Sequence, residues 1–115
     1  MPIRGMKSPN YLDFIGTKKC PITGSHPSDC HHESVTRRFS GALKKHFDYG
    51  ALPLEHEIHL YERHQVGKEE FWSKYDFDPA LLVLSYLEEY VSLDPEDKDE
   101  AELAIQMVRK DNGFS

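Results

Sequence analysis

The chain has 115 residues, a net charge of −6 at neutral pH and a mean hydropathy of −0.65. This length supports one domain with a modest hydrophobic core and excludes two. No apolar run approaches the roughly 18 residues that a membrane-spanning helix needs, and residues 1–5 lack the apolar stretch of a secretory signal. The sequence therefore predicts one soluble, cytoplasmic domain over residues 1–115.

Charge is divided unevenly along the chain. Residues 1–46 carry eight basic and three acidic side chains, whereas residues 68–115 carry five basic and thirteen acidic ones. A basic front half can lie on a polyanion such as DNA while an acidic back half stays solvated. An acidic helical tail that serves solubility alone explains the back half equally well.

The front of the chain is predicted to form a small α+β unit. Residues 1–9, with two prolines and a glycine, indicate a flexible arm, and residues 10–15 a short helix that docks on the core. A loop rich in Pro, Gly and Ser over residues 18–28 leads to a first strand at 29–36. A second strand follows at 49–54, so the two strands are expected to form an antiparallel hairpin.

The remainder of the chain is predicted to be helical. From Glu55 the apolar pattern is helical and ends near Gly67, a natural C-cap, and a second short helix follows over 68–75. Asp78-Pro79 and Asp94-Pro95 each combine an N-cap residue with a proline that suits the first turn. We therefore expect a helical C-terminal extension over 68–115, in which Phe71, Trp72 and the apolar run 81–87 belong to the core.

The histidines carry the clearest chemical signal in the sequence. All seven lie between positions 26 and 64, although imidazoles that serve only packing have no reason to cluster. Imidazole is the commonest protein ligand for transition metals and a natural base near neutral pH. Isolated surface histidines are most often ordinary polar residues, which is the expectation for His26 and His46.

Two of these histidines are adjacent on a predicted strand. Neighbouring side chains of a strand point to opposite faces, so His31 and His32 are not expected to bind one ion together. One can hold a metal while the other faces a substrate. His59 and His64 lie on the helical segment after the second strand, close enough in sequence to supply two further ligands.

The order of these elements resembles a known family. It runs through Asp29-Cys30-His31-His32, Gly41, a Lys-x-x-Asp segment ending at Asp48, Ala51-Leu52-Pro53-Leu54, His59, His64-Gln65-Val66-Gly67 and Phe71-Trp72. This arrangement is similar to the HNH, or ββα-metal, nucleases of phages and prophages, especially the group of the RecA-dependent recombination-enhancing nuclease. The similarity covers roughly residues 10–75, and it implies an HNH nuclease core over residues 10–67.

The resemblance implies a role for each matching residue. His32 corresponds to the general base that deprotonates the attacking water, and Asp48 to the central residue that braces the loop and orients the base. His31, His59 and His64 correspond to the metal ligands. The ion would be a single Zn²⁺, Ni²⁺, Mg²⁺ or Mn²⁺ that acts as a Lewis acid on the scissile phosphate.

The resemblance also implies partners. DNA would be hydrolysed with little sequence specificity, and a recombination protein is a possible second partner. Basic residues beside the proposed site are candidates for contacts with backbone phosphates: Arg37, Arg38, Lys44 and Lys45. An ordinary solvated face is the alternative for all four.

The sequence departs from the family at two points. Many relatives hold a structural zinc with pairs of cysteines, whereas here Thr23 and Glu55 stand at expected ligand positions beside Cys20 and Cys30, so we expect that zinc to be lost. His59 and His64 are five residues apart, or about 140° around an ideal helix. Either the first turn is irregular, the helix contains a bulge, or His56 replaces one of the two ligands.

Two other function classes remain open from the sequence alone. The first is a zinc-stabilised binding module, in which His31, His59 and His64 hold a structural ion and His32 is idle. The second is a catalytically degenerate HNH fold that binds a protein partner through its acidic helices.

Overall fold

The computed structural model describes residues 5–26, 28–58 and 64–114. Its architecture is α+β, as the sequence predicts: one two-stranded antiparallel sheet is packed among helices. The strands are β1 (Asp29–His32) and β2 (Ala51–Leu54). The helices are α1 (Pro9–Gly16), α2 (His64–Val66), α3 (Lys68–Lys74), α4 (Pro79–Ser92) and α5 (Lys98–Asp111).

The hairpin pairs His31 with Leu52 and His32 with Ala51. Both strands are shorter than predicted: β1 ends at His32, and β2 begins only at Ala51 because a 3₁₀ turn, Asp48–Gly50, occupies the predicted start of the strand. A second 3₁₀ turn, Gly41–His46, lies earlier in the connection. Glycine at position 50 lets the backbone pass close to its neighbours. A Cβ there would lie 3.0 Å from the Phe47 ring and 3.1 Å from the Glu33 carbonyl oxygen. Residues 56–58, directly after β2, are helical.

The segment predicted to be a flexible arm is packed against the core from residue 6 onward. Met6 is buried and forms a single parallel bridge with Phe47. The Met6 N–H donates to the His46 carbonyl at 2.8 Å, and the Asp48 N–H donates to the Met6 carbonyl at 3.0 Å. Ser8 then caps α1, its hydroxyl accepting from the Tyr11 N–H at 3.0 Å. The prediction of an arm over 1–9 is therefore wrong for residues 6–9, which backbone hydrogen bonds and the cap hold in place.

The two long C-terminal helices, α4 and α5, each start after an aspartate, with one shift from the prediction. Asp78 caps α4 through a bond from the Ala80 N–H at 2.9 Å. The last helix begins at Lys98, three residues later than Asp94-Pro95 indicates. Asp94 has a φ of 55°, in the left-handed region, whereas an N-cap residue typically has an extended backbone.

A single hydrophobic core joins the hairpin to the C-terminal helices. It contains residues from every part of the chain, among them Met6, Tyr11, Phe47, Leu52, Phe71, Leu87 and Val108. Aromatic contacts link its layers: the Tyr11 ring lies 5.4 Å from Tyr49 and 4.9 Å from Tyr90. Phe71 and Trp72 are buried as predicted. The apolar run 81–87 is only partly core, because Leu81 is 52% exposed on the outer side of α4.

Among the residues described, no helix is long and apolar enough to cross a membrane.

The two ends of the apolar run in α4 give a stability test of this packing. Leu87 is fully buried and Leu81 is half exposed. We expect Leu87→Ala to lower the free energy of unfolding by about 2–5 kcal/mol, because it leaves a cavity. Leu81→Ala, the matched control, should change it by no more than about 0.5 kcal/mol. Urea denaturation of both variants measures the difference, and equal losses would contradict the packing of α4.

Candidate functional site

His32 and Asp48 lie together at the end of the hairpin. The Nε2 atom of His32 is 3.0 Å from Oδ1 of Asp48. Asp48 is almost completely buried, whereas the His32 side chain is 23% exposed. An ionised carboxylate only accepts hydrogen bonds, so His32 carries its proton on Nε2 and turns Nδ1 away from Asp48. The resemblance to the HNH nucleases implies catalytic roles for these two residues, and the fold brings them into contact across sixteen positions of chain.

Residues 6–8 supply further contacts to Asp48. The Ser8 N–H donates to Asp48 Oδ2 at 2.8 Å, so both carboxylate oxygens are engaged. Nζ of Lys7 lies 4.0 Å from Asp48 Oδ1 and donates to the Lys45 carbonyl at 2.6 Å. Sequence reasoning missed both residues because the segment is rich in turn formers. Ser8-Pro9 is nevertheless an N-cap residue followed by proline at the first helical position. This signal could have shown that the segment is ordered at the start of α1.

His31 points into the interior, away from the contact with Asp48. It is buried, and its Nε2 lies 2.9 Å from Oε2 of Glu33, which is fully buried too. Nε1 of Trp72 in α3 donates to the same Glu33 oxygen at 2.9 Å. A buried carboxylate needs such donors, since an unpaired one costs several kcal/mol. Glu33 is a further residue that the sequence reasoning missed, although strand alternation puts positions 31 and 33 on one face.

The predicted metal ligands are only partly covered by the structure. His59 lies outside the described residues, and so does the side chain of His64. Within the described part of the chain, no three His, Cys, Asp or Glu side chains are grouped as a metal site would require. His56, the alternative ligand, lies with Nδ1 2.8 Å from Oδ2 of Asp29 at the solvent-exposed start of β1.

A carboxylate on one ring nitrogen of a histidine is a common feature of metal-ligating imidazoles, because it fixes the ring and its tautomer. Glu33 stands in this relation to His31. Glu33 thus fixes the ring of His31 in the way that a metal ligand would need.

The four predicted DNA-contacting residues have different surroundings. Arg37 and Arg38 are exposed, but the Arg37 N–H donates to Asp111 of α5, and Arg38 lines a recess together with Glu100. Lys45 is exposed and Lys44 is half-buried, both at the end of the 3₁₀ turn Gly41–His46. This turn leads directly to Asp48.

Three hydroxyl groups converge on the carboxylate of Asp97, just before α5. Ser8 and Tyr49 each donate to Oδ2 at 2.5 Å, and Tyr90 donates to Oδ1 at 2.5 Å. Burial alone would raise the pKa of Asp97, but these hydrogen bonds outweigh it and the pKa is lowered. Burial and the bond to Asp97 raise the pKa of Tyr90 to about 12. The pKa of Tyr49 is raised for the same two reasons.

The two cysteines form no disulfide. Cys20 is buried in a turn closed by the Gly24 N–H, and Cys30 packs with Sγ 3.5 Å from the Leu12 carbonyl. Thr23, which stands at an expected zinc-ligand position, accepts a bond from the Ser25 N–H instead.

Comparison of the chain with family models, with curated proteins and with solved structures finds no significant match. The chemistry of the site therefore rests on the residues themselves. A partly exposed imidazole whose tautomer is set by a buried carboxylate can accept a proton from a bound water molecule.

The Asp97 cluster predicts a specific dependence of stability on pH. Because the pKa of Asp97 is lowered in the folded state, its ionised form stabilises the fold at pH values above the ordinary Asp value of about 3.9. That contribution is lost as the pH falls through the lowered value. We expect Asp97→Asn to lower Tm at neutral pH, and the gap from the wild type to close as the pH falls below the ordinary Asp value.

Thermal denaturation followed by circular dichroism measures this gap. Asp99→Asn, at an exposed position in the first turn of α5, controls for the loss of one negative charge. A gap between wild type and Asp97→Asn that stays constant from neutral to acid pH would show that the Asp97 carboxylate is not stabilised by its three hydroxyl donors.

Proposed function

We propose that this protein is a metal-dependent endonuclease of the HNH type that hydrolyses DNA phosphodiester bonds with little sequence specificity. The observation that carries the proposal is the 3.0 Å contact between His32 and Asp48 on an antiparallel hairpin that leads into a helical segment. Strand, loop, strand and helix, with the paired residues at the end of the hairpin, is the order of elements in ββα-metal nucleases.

His32 is the general base in this proposal. Its Nε2 donates to Asp48, so Nδ1 carries the lone pair that takes the proton from the attacking water. The partial exposure of the ring supports this role, because the base must reach a water beside the phosphate. Asp48 fixes the tautomer and orientation of His32 and makes no contact with DNA.

His31 is the metal ligand on β1 in this proposal, with Glu33 holding its ring. His59 and His64 complete the proposed ligand set. A bound divalent ion, Zn²⁺, Ni²⁺, Mg²⁺ or Mn²⁺, would supply Lewis-acid stabilisation of the phosphate and of the leaving 3′ oxygen. Because neighbouring side chains on β1 point to opposite faces, each histidine keeps its own carboxylate: Glu33 for His31 and Asp48 for His32.

Lys7 and Lys45 are the better candidates for phosphate contacts beside His32. Nζ of Lys7 lies 4.0 Å from the Asp48 carboxylate and is exposed to solvent. The backbone N–H of Arg37 is bonded to Asp111 of α5, so this residue is tied to the C-terminal helix and not to the segment that contains Asp48. We therefore assign DNA contact at the site to the lysines and retain the arginines only as more distant contributors.

Separate substitutions of the two adjacent histidines test the proposed roles. His32→Ala should leave metal and DNA binding nearly intact and slow plasmid cleavage by roughly 10²–10⁴-fold, because only the base is removed. His31→Ala should instead weaken metal binding, measured by calorimetric titration. Plasmid nicking is measured with Mg²⁺, Mn²⁺, Ni²⁺ and Zn²⁺ in turn.

His26→Ala is the matched control, since His26 is exposed and its Nε2 lies 3.1 Å from the Gly16 carbonyl, outside the His32–Asp48 pair. If His32→Ala cleaves as fast as the wild type, the HNH mechanism is excluded. Metal binding through His31 with no cleavage by the wild type would favour the zinc-stabilised binding module.

The lysine assignment predicts a difference in salt dependence. Each phosphate that a basic side chain neutralises adds about 0.9 to the slope of log K against log salt for duplex DNA. We expect Lys7→Ala to reduce this slope by about that amount for several unrelated duplexes. Arg37→Ala, the charge-matched control, should change it less. A larger effect of Arg37 than of Lys7 would overturn the assignment.

A further inference from the structure

We infer that Ser8 and Asp97 are positioning residues for the His32–Asp48 pair, an inference that rests on the proposed function for its effect on cleavage. A continuous chain of hydrogen bonds runs from Asp97, through Ser8, to Asp48 and His32. It joins the N-terminal end of α5 to the hairpin, across 89 positions of sequence at its first bond.

Ser8 is the central link of this chain. Its backbone N–H donates to Asp48 Oδ2, while its hydroxyl accepts from the Tyr11 N–H and donates to Asp97. The residue is buried, so the hydroxyl has protein partners in place of bulk water. The direction of the Ser8 N–H therefore depends on a side chain that is anchored at two points, and this N–H holds one oxygen of the Asp48 carboxylate.

Asp97 reaches the site by a second route. It accepts from the hydroxyl of Tyr49, which directly follows Asp48 in the 3₁₀ turn Asp48–Gly50. Oδ2 of Asp97 thus receives one hydrogen bond from the residue that holds Asp48 and one from the neighbour of Asp48 in the chain. Oδ1 is fixed in turn by Tyr90 of α4. The carboxylate of Asp97 consequently sets the position of Asp48 from two sides.

The chemical consequence is a fixed orientation of His32. Rotation of the Asp48 carboxylate would move Oδ1 away from Nε2 and allow the proton of the ring to shift to Nδ1. A ring protonated on Nδ1 cannot use that atom as a base. Supporting residues of this kind typically change activity by about 10- to 100-fold when they are replaced.

The test uses the full chain with Ser8→Ala, Asp97→Asn and their combination. Asparagine offers one acceptor oxygen and cannot accept from donors on both sides. Cleavage rates and DNA affinity are measured with the metal that supports activity, and the tautomer of His32 is read from the ¹⁵N shifts of its ring. We expect rates about 10- to 100-fold lower, unchanged DNA affinity, and a ring proton that shifts from Nε2 toward Nδ1. The double variant should be no slower than Asp97→Asn, since both act on one chain of bonds.

Two controls separate positioning from stability and from charge. Asp99→Asn removes a nearby exposed charge, and Val108→Ala destabilises the buried side of the same helix. Both should keep the wild-type tautomer and rate per folded molecule. If Asp97→Asn does not fold, Tyr90→Phe takes its place, because it removes only one of the three hydroxyl donors to Asp97. Its cleavage rate and His32 tautomer should change in the same direction, by a smaller amount.

The tautomer distinguishes this inference from the proposed function. A shift of the His32 proton in Ser8→Ala and Asp97→Asn, in a protein that cleaves no DNA with any of the four metals, would support the positioning chain and refute the nuclease. Cleavage by the wild type, with variants that match Asp99→Asn in tautomer and rate, would refute the positioning chain and leave the nuclease standing.

Discussion

A buried carboxylate at position 48 is the constraint on which the rest of the site depends. An ionised group that is 4% exposed must be matched by donors, because burial without them costs several kcal/mol. One oxygen is matched by His32 of β1 and the other by the Ser8 N–H. The hairpin and the N-terminal segment therefore meet at the same side chain. This requirement explains why residues 6–8 are packed against the core although they lie among turn-forming residues.

The acidic C-terminal helices are structural partners of the front half of the chain. The Asp97 carboxylate accepts hydrogen bonds from the hydroxyls of Ser8 and Tyr49. The Asp111 carboxylate accepts one from the backbone N–H of Arg37. Acidic side chains thus lie against parts of the segment that carries the positive charge. The front half of the chain is consequently not one uniformly basic surface, because acidic side chains lie beside both Lys7 and Arg37. A tail that served solubility alone would have no reason to make these contacts.

The hairpin could be predicted because side-chain alternation and turn-forming residues are properties of short stretches of sequence. The same alternation separates His31 from His32, and the structure gives them Glu33 and Asp48 as different partners. The pairing of His32 with Asp48 could be expected from the resemblance to a family, but not from spacing alone. The roles of Ser8 and Asp97 could not be predicted, since they depend on hydrogen bonds between distant positions. The start of α5 was missed because Asp94-Pro95 carries the signal of a helix start, whereas the backbone at Asp94 adopts a positive φ.

The central claim is that His32 and Asp48 act as one catalytic unit, and a double-mutant cycle on plasmid cleavage tests it most directly. Rates are measured for the wild type, His32→Ala, Asp48→Ala and the double variant under the metal condition that gives the highest activity. If Asp48 works only by orienting His32, removing it from the His32→Ala protein should cost nothing further, so the double variant should cleave as fast as His32→Ala. Rate reductions that multiply in the double variant would contradict the account, because they would show that the two residues act independently.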